Sequence, residues 1–163
     1  MRKLLILGAG QYGMVAKEIA ESTGNYDGVA FLDDSNPVAV GALCEYERFR
    51  QEFGCAVVAI GNSEMRMRLI GRLAFAGYEV PTLIHPRAYV SPSAVIGMGS
   101  FIEPMAVVHT DSSVGRGCII SAGTVINHNA VIGDGCHLNC GTVVRSAASV
   151  AAGTTSGYGE IVG

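Results

Sequence analysis

Four histidines give this chain its candidates for proton transfer: His85, His109, His128 and His137. A neutral imidazole titrates near working pH and can take a proton from an attacking nucleophile. His128 is the leading candidate, in Ile126-Asn127-His128-Asn129-Ala130, where the Asn129 amide can orient the ring. The other reading of His128, a surface or interface histidine without chemistry, is left open by the residues alone. His85 stands directly before Pro86 and reads as structural. A second cluster is Gly8-Ala9-Gly10-Gln11-Tyr12-Gly13. Its glycines permit a tight turn and close backbone approach, and a helix beginning there presents free N–H groups to a phosphate. Asp33 lies twenty residues past Gly13, where dinucleotide-binding proteins place a ribose-binding acid.

His128 belongs to a repeat. Stepping by six from Ile84 gives Val90, Ile96, Ile102, Val108, Val114, Ile120, Ile126, Ile132, Leu138, Val144, Val150, Ser156 and Val162, and only Ser156 is not aliphatic. Two residues before these positions the side chain is always small, from Ala88 to Thr154. Glycine follows the aliphatic position at Gly97, Gly115, Gly133 and Gly157. A period of six is neither helical nor simple alternation. It suits a three-sided coil of about 18 residues, with a short strand on each side and coils stacked about 4.8 Å apart. Ile96, Val114, Ile132 and Val150 then form one inward ladder, Ile102, Ile120 and Leu138 a second, and Val90, Val108, Ile126 and Val144 a third. Each buried aliphatic side chain contributes roughly 1.5–3 kcal/mol. His128, two residues past Ile126, projects outward.

The segment before the repeat reads as a small parallel α/β unit. Strands are expected at Lys3–Leu7, Gly28–Leu32, Ala56–Ile60 and Val80–Ile84. Helices are expected at Met14–Glu21, at Glu45–Phe53 and from a Ser63 cap to about Ala76. Ligands of such sheets sit at the strands' carboxyl ends. The expected architecture is a Rossmann-like α/β domain over 1–84 and an all-β parallel β-helix over 85–163. The glycine motif and Asp33 alone would suggest NAD, but only about 86 residues precede the repeat, and a nicotinamide site needs a second mononucleotide-binding half. A nucleotide sugar or related anionic ligand fits better, with a purely structural glycine turn as the remaining reading.

Net charge is −3 and Lys and Arg are scattered, which argues against nucleic acid and anionic membrane as partners. No apolar run reaches the length of a membrane span or signal peptide. Five cysteines without a Cys-x-x-Cys pair read as reduced thiols of a cytoplasmic protein, and no metal set is expected.

The hexapeptide pattern resembles the left-handed β-helix of bacterial acyltransferases. The whole chain resembles the bacterial sugar acetyltransferases that include sialic acid O-acetyltransferase and UDP-4-amino-sugar N-acetyltransferase. Gly8-Ala9-Gly10-x-x-Gly13, Phe31-Leu32-Asp33-Asp34, Ala59-Ile60-Gly61-Asn62, Leu83-Ile84-His85-Pro86 and Ile126-Asn127-His128 followed by His137 carry the resemblance, in the family's order. It implies acetyl-CoA as cosubstrate, a sugar or nucleotide-sugar acceptor and a homotrimer with active sites between adjacent β-helices. By that resemblance His128 is the catalytic base with Asn129 beside it. His137, Gly157 and Tyr158 contact acetyl-CoA, and Gly10, Gln11, Tyr12, Asp33, Asp34 and Gly61 bind the nucleotide sugar. The chain departs from the family at Asn129, where an acidic residue is usual, and at Gln11-Tyr12, where the loop usually carries a histidine. It also stops at Gly163 inside the repeat, so further coils are expected to be missing. Three other readings compete with this one: a zinc enzyme of the carbonic-anhydrase-like β-helix class, a non-catalytic sugar-binding trimer, and a serine O-acetyltransferase. The first conflicts with the nine-residue spacing of His128 and His137, and the last with the strand-turn-helix at Gly8–Gly13.

Overall fold

The computed structural model describes residues 2–163 and divides into two compact units, Met1–Pro81 and Thr82–Gly163. In the first, β1 (Arg2–Leu7) is the central strand of a three-stranded parallel sheet, flanked by β2 (Tyr26–Leu32) and β3 (Cys55–Val58). Leu4 to Leu7 are fully buried, as expected of a strand covered on both faces. Helix α1 (Gln11–Ser22) follows β1, a 3₁₀ helix (Leu43–Phe49) follows β2, and α2 (Ser63–Phe75) follows β3.

Four sequence expectations change here, the first being the helix expected at Glu45–Phe53, which is the 3₁₀ helix Leu43–Phe49. Helix α1 starts at Gln11, three residues before Met14, because Gly10 is the extended N-cap, so Gln11, Tyr12 and Gly13 belong to the first helical turn. The cap of α2 is Asn62, whose Oδ1 accepts from Met65 N at 2.8 Å, rather than Ser63. Val80–Ile84 is not a fourth strand of this sheet. Glu79 forms only a bridge to Cys55, while Leu83–Ile84 pairs with Phe101–Ile102, so the unit boundary lies between Pro81 and Thr82 rather than after Ile84.

The second unit is a parallel β-helix. Its first face stacks Leu83–Ile84, Phe101–Ile102, Ile119–Ile120 and His137–Leu138. The second stacks Tyr89–Val90, Val107–Val108, Val125–Ile126, Val143–Val144 and Ile161–Val162. The third stacks Val95–Ile96, Ser113–Val114, Val131–Ile132 and Ser149–Val150. Partners are 18 residues apart throughout, and the second residue of each pair points inward to one continuous core.

Three details of the coil explain the sequence. First, the small residue before each strand is more than a space-saver. Hydroxyls or thiols of Thr82, Ser100, Ser112, Cys118, Thr124, Cys136 and Thr142 each donate to the carbonyl 15 residues later, at 2.7–3.3 Å. Second, glycine after the aliphatic position is steric at Gly97, Gly115 and Gly133, where a Cβ would stand 2.5–2.6 Å from backbone of the next coil. Gly157 is different, meeting only the Glu160 side chain. Third, every sixth residue from 99 to 159 has φ between 55° and 73°, in the left-handed region; seven are glycine, and the others are Met105, Asp111, Asn129 and Ala147. Ser156, the one polar inward residue, is satisfied by Asn139 N at 2.8 Å and Thr142 Oγ1 at 2.7 Å. No helix among the described residues is long and apolar enough to cross a membrane.

Candidate functional site

The first unit gathers all six sequence-predicted ligand residues at the carboxyl ends of its three strands. Gly13 is forced there, because a Cβ would lie 2.2 Å from the Gly8 carbonyl oxygen where the turn closes on itself. Gly10 is exposed with open space around it, and α1 begins there without a side-chain cap. Gln11 is exposed and Tyr12 half-buried beside it. Asp33, expected among the nucleotide-sugar residues, is already engaged by donors of its own chain. Its Oδ2 accepts from Ala9 N at 2.8 Å, and its Oδ1 from Ser35 N, Ser35 Oγ and Asn36 N at 2.9–3.1 Å. These bonds, Ala9 N foremost, hold its pKa down to about 2. Asp33 therefore ties the glycine loop to the turn after β2. Asp34 is the more available acid: it is exposed, and only its Oδ1 is engaged, by Leu43 N at 2.9 Å. It borders a cavity of about 210 Å³ between the 3₁₀ helix and α2, also lined by Leu43, Tyr46, Met65, Arg68 and Arg72.

Gly61 is held by a residue the sequence reading passed over. Arg66 is fully buried and donates to the carbonyls of Ile60 at 2.8 Å and Gly61 at 2.9 Å. Its spacing was the available signal: Arg66 precedes Leu69, Ile70 and Leu73 by three, four and seven residues, on the apolar face of α2.

In the second unit His128 stands exposed at the corner between the second and third faces. Its Nδ1 lies 2.9 Å from Asn129 Oδ1. An amide oxygen only accepts, so Nδ1 is the donor of this pair, and in the neutral tautomer that this selects Nε2 presents the lone pair. Asn129 occupies a left-handed position, φ 60°, which glycine or asparagine adopts at low cost. The His128 ring also packs edge-on against His109 of the preceding coil, with centroids 6.3 Å apart.

His137 is half-buried on the first face, with Nε2 3.4 Å from Ser121 Oγ. Ser156 N donates to the His137 carbonyl, so Gly157 and Tyr158, both exposed, follow directly below it. His137, Gly157 and Tyr158 thus lie in adjacent coils. His128 does not join them within one chain: its corner is opposite the first face. Among the described residues no group of three or more His, Cys, Asp or Glu could hold a metal ion.

Comparison with known proteins bears on this arrangement. Residues 3–73 match the PglD N-terminal domain family. The acetyltransferase domain of PglB from Neisseria gonorrhoeae superposes on 100% of this chain and 92% of its own, at 30% identity and a TM-score of 0.90. The chain belongs to the hexapeptide-repeat bacterial sugar acetyltransferases. Its repeat is the left-handed β-helix of that family. The PglB domain has also been solved in complex with acetyl coenzyme A, at 29% identity and a TM-score of 0.87 to this chain, with 99% and 92% of the two chains covered. The UDP-N-acetylbacillosamine N-acetyltransferase of Bacillus subtilis (strain 168) is 33% identical over 112 residues, which is 63% of this chain and 51% of that protein. The match thus spans about half the length of the curated relative. PerB from Caulobacter crescentus, solved with CoA and GDP-perosamine, shares the fold at 24% identity and a TM-score of 0.85, covering 99% of this chain and 88% of its own.

Proposed function

We propose that this protein transfers an acetyl group from acetyl-CoA to the amine of a nucleotide-linked amino sugar, with His128 as general base. The observation that carries the reading is the His128–Asn129 contact, which commits Nδ1 and leaves Nε2 of an exposed imidazole as the proton acceptor. An amine rather than a hydroxyl is favoured by the name of the Bacillus subtilis relative, an N-acetyltransferase. When bound, acetyl-CoA supplies an acyl carbon activated as a thioester. His128 Nε2 takes the proton of the attacking amine, Asn129 Oδ1 stabilises the protonated Nδ1, and the imidazolium returns a proton to the departing thiolate. His137, Gly157 and Tyr158 form the surface that contacts the cosubstrate. Gly10, Gln11, Tyr12, Asp34 and Gly61 meet the nucleotide sugar, with Asp33 shaping their loop.

The working form is a homotrimer. His128 and His137 occupy opposite sides of one coil, so a site using both draws them from neighbouring copies. The outward ladder of Tyr89, Val107, Val125, Val143 and Ile161 on the second face supplies an apolar surface for that association. The reaction belongs in the cytoplasm, where thiols such as Cys118 and Cys136 stay reduced.

The test is release of CoA thiol from acetyl-CoA in the presence of UDP- and GDP-linked 4-amino sugars. His128→Ala is expected to lower turnover about 10²–10⁴-fold with the oligomer intact. Turnover unchanged in that variant removes the assignment.

A further inference from the structure

His109 has no role in the mechanism above, yet it is the side chain that meets the His128 ring. The two rings lie edge to face, centroids 6.3 Å apart and planes at 73°. His109 is itself anchored, since its Nδ1 accepts from Thr110 N at 2.9 Å. The carbonyl of the same residue, Thr110, accepts from Asn129 N at 3.0 Å. Asn129 in turn holds His128 Nδ1. One peptide segment therefore anchors both supports of the His128 imidazole.

We infer that His109 is a positioning residue for His128, fixing the plane of its ring while Asn129 fixes its tautomer. This rests on the reading of His128 as general base. An exposed imidazole turns broadly about its last torsion, because such bonds have shallow, wide minima. The Asn129 contact restrains which nitrogen carries the proton. A second ring packed against the first is the further restraint that aims Nε2 along a single direction, and edge-to-face pairing at this separation is a favourable geometry for two rings. The feature required of residue 109 is a planar ring; the acceptor for Thr110 N is secondary.

Three variants separate these requirements. His109→Ala removes both ring and acceptor, His109→Asn restores an acceptor without a ring, and His109→Phe restores a ring without the acceptor. Misaimed catalytic groups lose rate steeply. Ala and Asn are expected to lower kcat about ten-fold with KM for acetyl-CoA unchanged, and Phe to recover most of it. A Phe variant as slow as Ala, or an Ala variant as fast as wild type, overturns the inference. A structural readout needs no turnover: nitrogen-15 and ring-proton NMR of His128. Its ring signals should shift in the Ala and Asn variants and return towards wild type in Phe. If wild type releases no thiol with any acceptor, the proposed activity fails, and NMR still decides the positioning role: an unchanged His128 spectrum in His109→Ala overturns it. His109 is exposed, so its replacement should leave the thermal midpoint unmoved.

Discussion

Asn129 answers to two demands at once. Its backbone takes the left-handed turn that every sixth residue of the coil makes, and its side chain fixes the tautomer of His128. The two can be separated. Asn129→Gly keeps the turn and loses the amide, so kcat should fall while the thermal midpoint holds. Asn129→Val keeps neither, and a branched residue at positive φ should cost about 1–2 kcal/mol in denaturant unfolding. Loss of stability in both variants, or in neither, would contradict this division of labour. Asp33 gives a matching case in the first unit. Its folded pKa is about 2, below the ordinary 3.8, so its stabilising bonds are fully present above about pH 4 and are lost as pH falls from there towards 2. The stability difference between wild type and Asp33→Asn should therefore shrink across that window, as read by chemical denaturation at stepped pH. A difference constant down to pH 2 would show the carboxylate to be unimportant. His128 was visible in sequence because an outward histidine on a sparsely charged repeat is conspicuous. His109 was a candidate too, but its contact with the His128 ring was not legible, because it joins two coils and the residues stand 19 apart in the chain.

At the level of elements, the inward ladders were legible because burial leaves a chemical signature every six residues. The hydroxyl and thiol bonds were less so. Ser100, Cys118, Thr124 and Cys136 were readable as small, but their donation to a carbonyl 15 residues onward follows from the coil's geometry rather than from size. The left-handed row was written in the sequence as Gly99, Gly117, Gly123, Gly135, Gly141, Gly153 and Gly159, and was masked by Met105, Asp111, Asn129 and Ala147 at the same spacing. In the α/β unit, Val80–Ile84 looked like a strand of the first sheet because it is apolar and extended. Hydrogen bonding, which composition does not report, assigned Leu83 and Ile84 to the β-helix. The glycine row at 97, 115 and 133 makes a direct prediction. Gly115→Ala places a methyl 2.6 Å from the Asp134 backbone nitrogen, and overpacking of this kind costs roughly 1–3 kcal/mol. Gly157→Ala, with only the Glu160 side chain nearby, should cost far less. Equal melting temperatures for the two variants would refute the steric account.

For the molecule as a whole, the proposed trimer follows from where two histidines stand. If the second face is buried between copies, a carboxylate in its outward ladder would be buried unpaired, which is strongly disfavoured. Val125→Glu is therefore expected to run as a monomer in analytical ultracentrifugation and to lose activity, while its circular dichroism remains that of the wild type. A trimeric Val125→Glu protein would place the interface elsewhere.

The eighteen-residue turn gives the β-helix something like a reading frame. Excising one full turn would leave every later residue on its original side, merely one storey higher. Excising six would move everything downstream by a third of a revolution, carrying His137 onto the wall now held by the third face. Length changes in this half of the protein should thus be tolerated by whole storeys or as outgrowths at the corners, whereas the opening α/β half is under no such arithmetic.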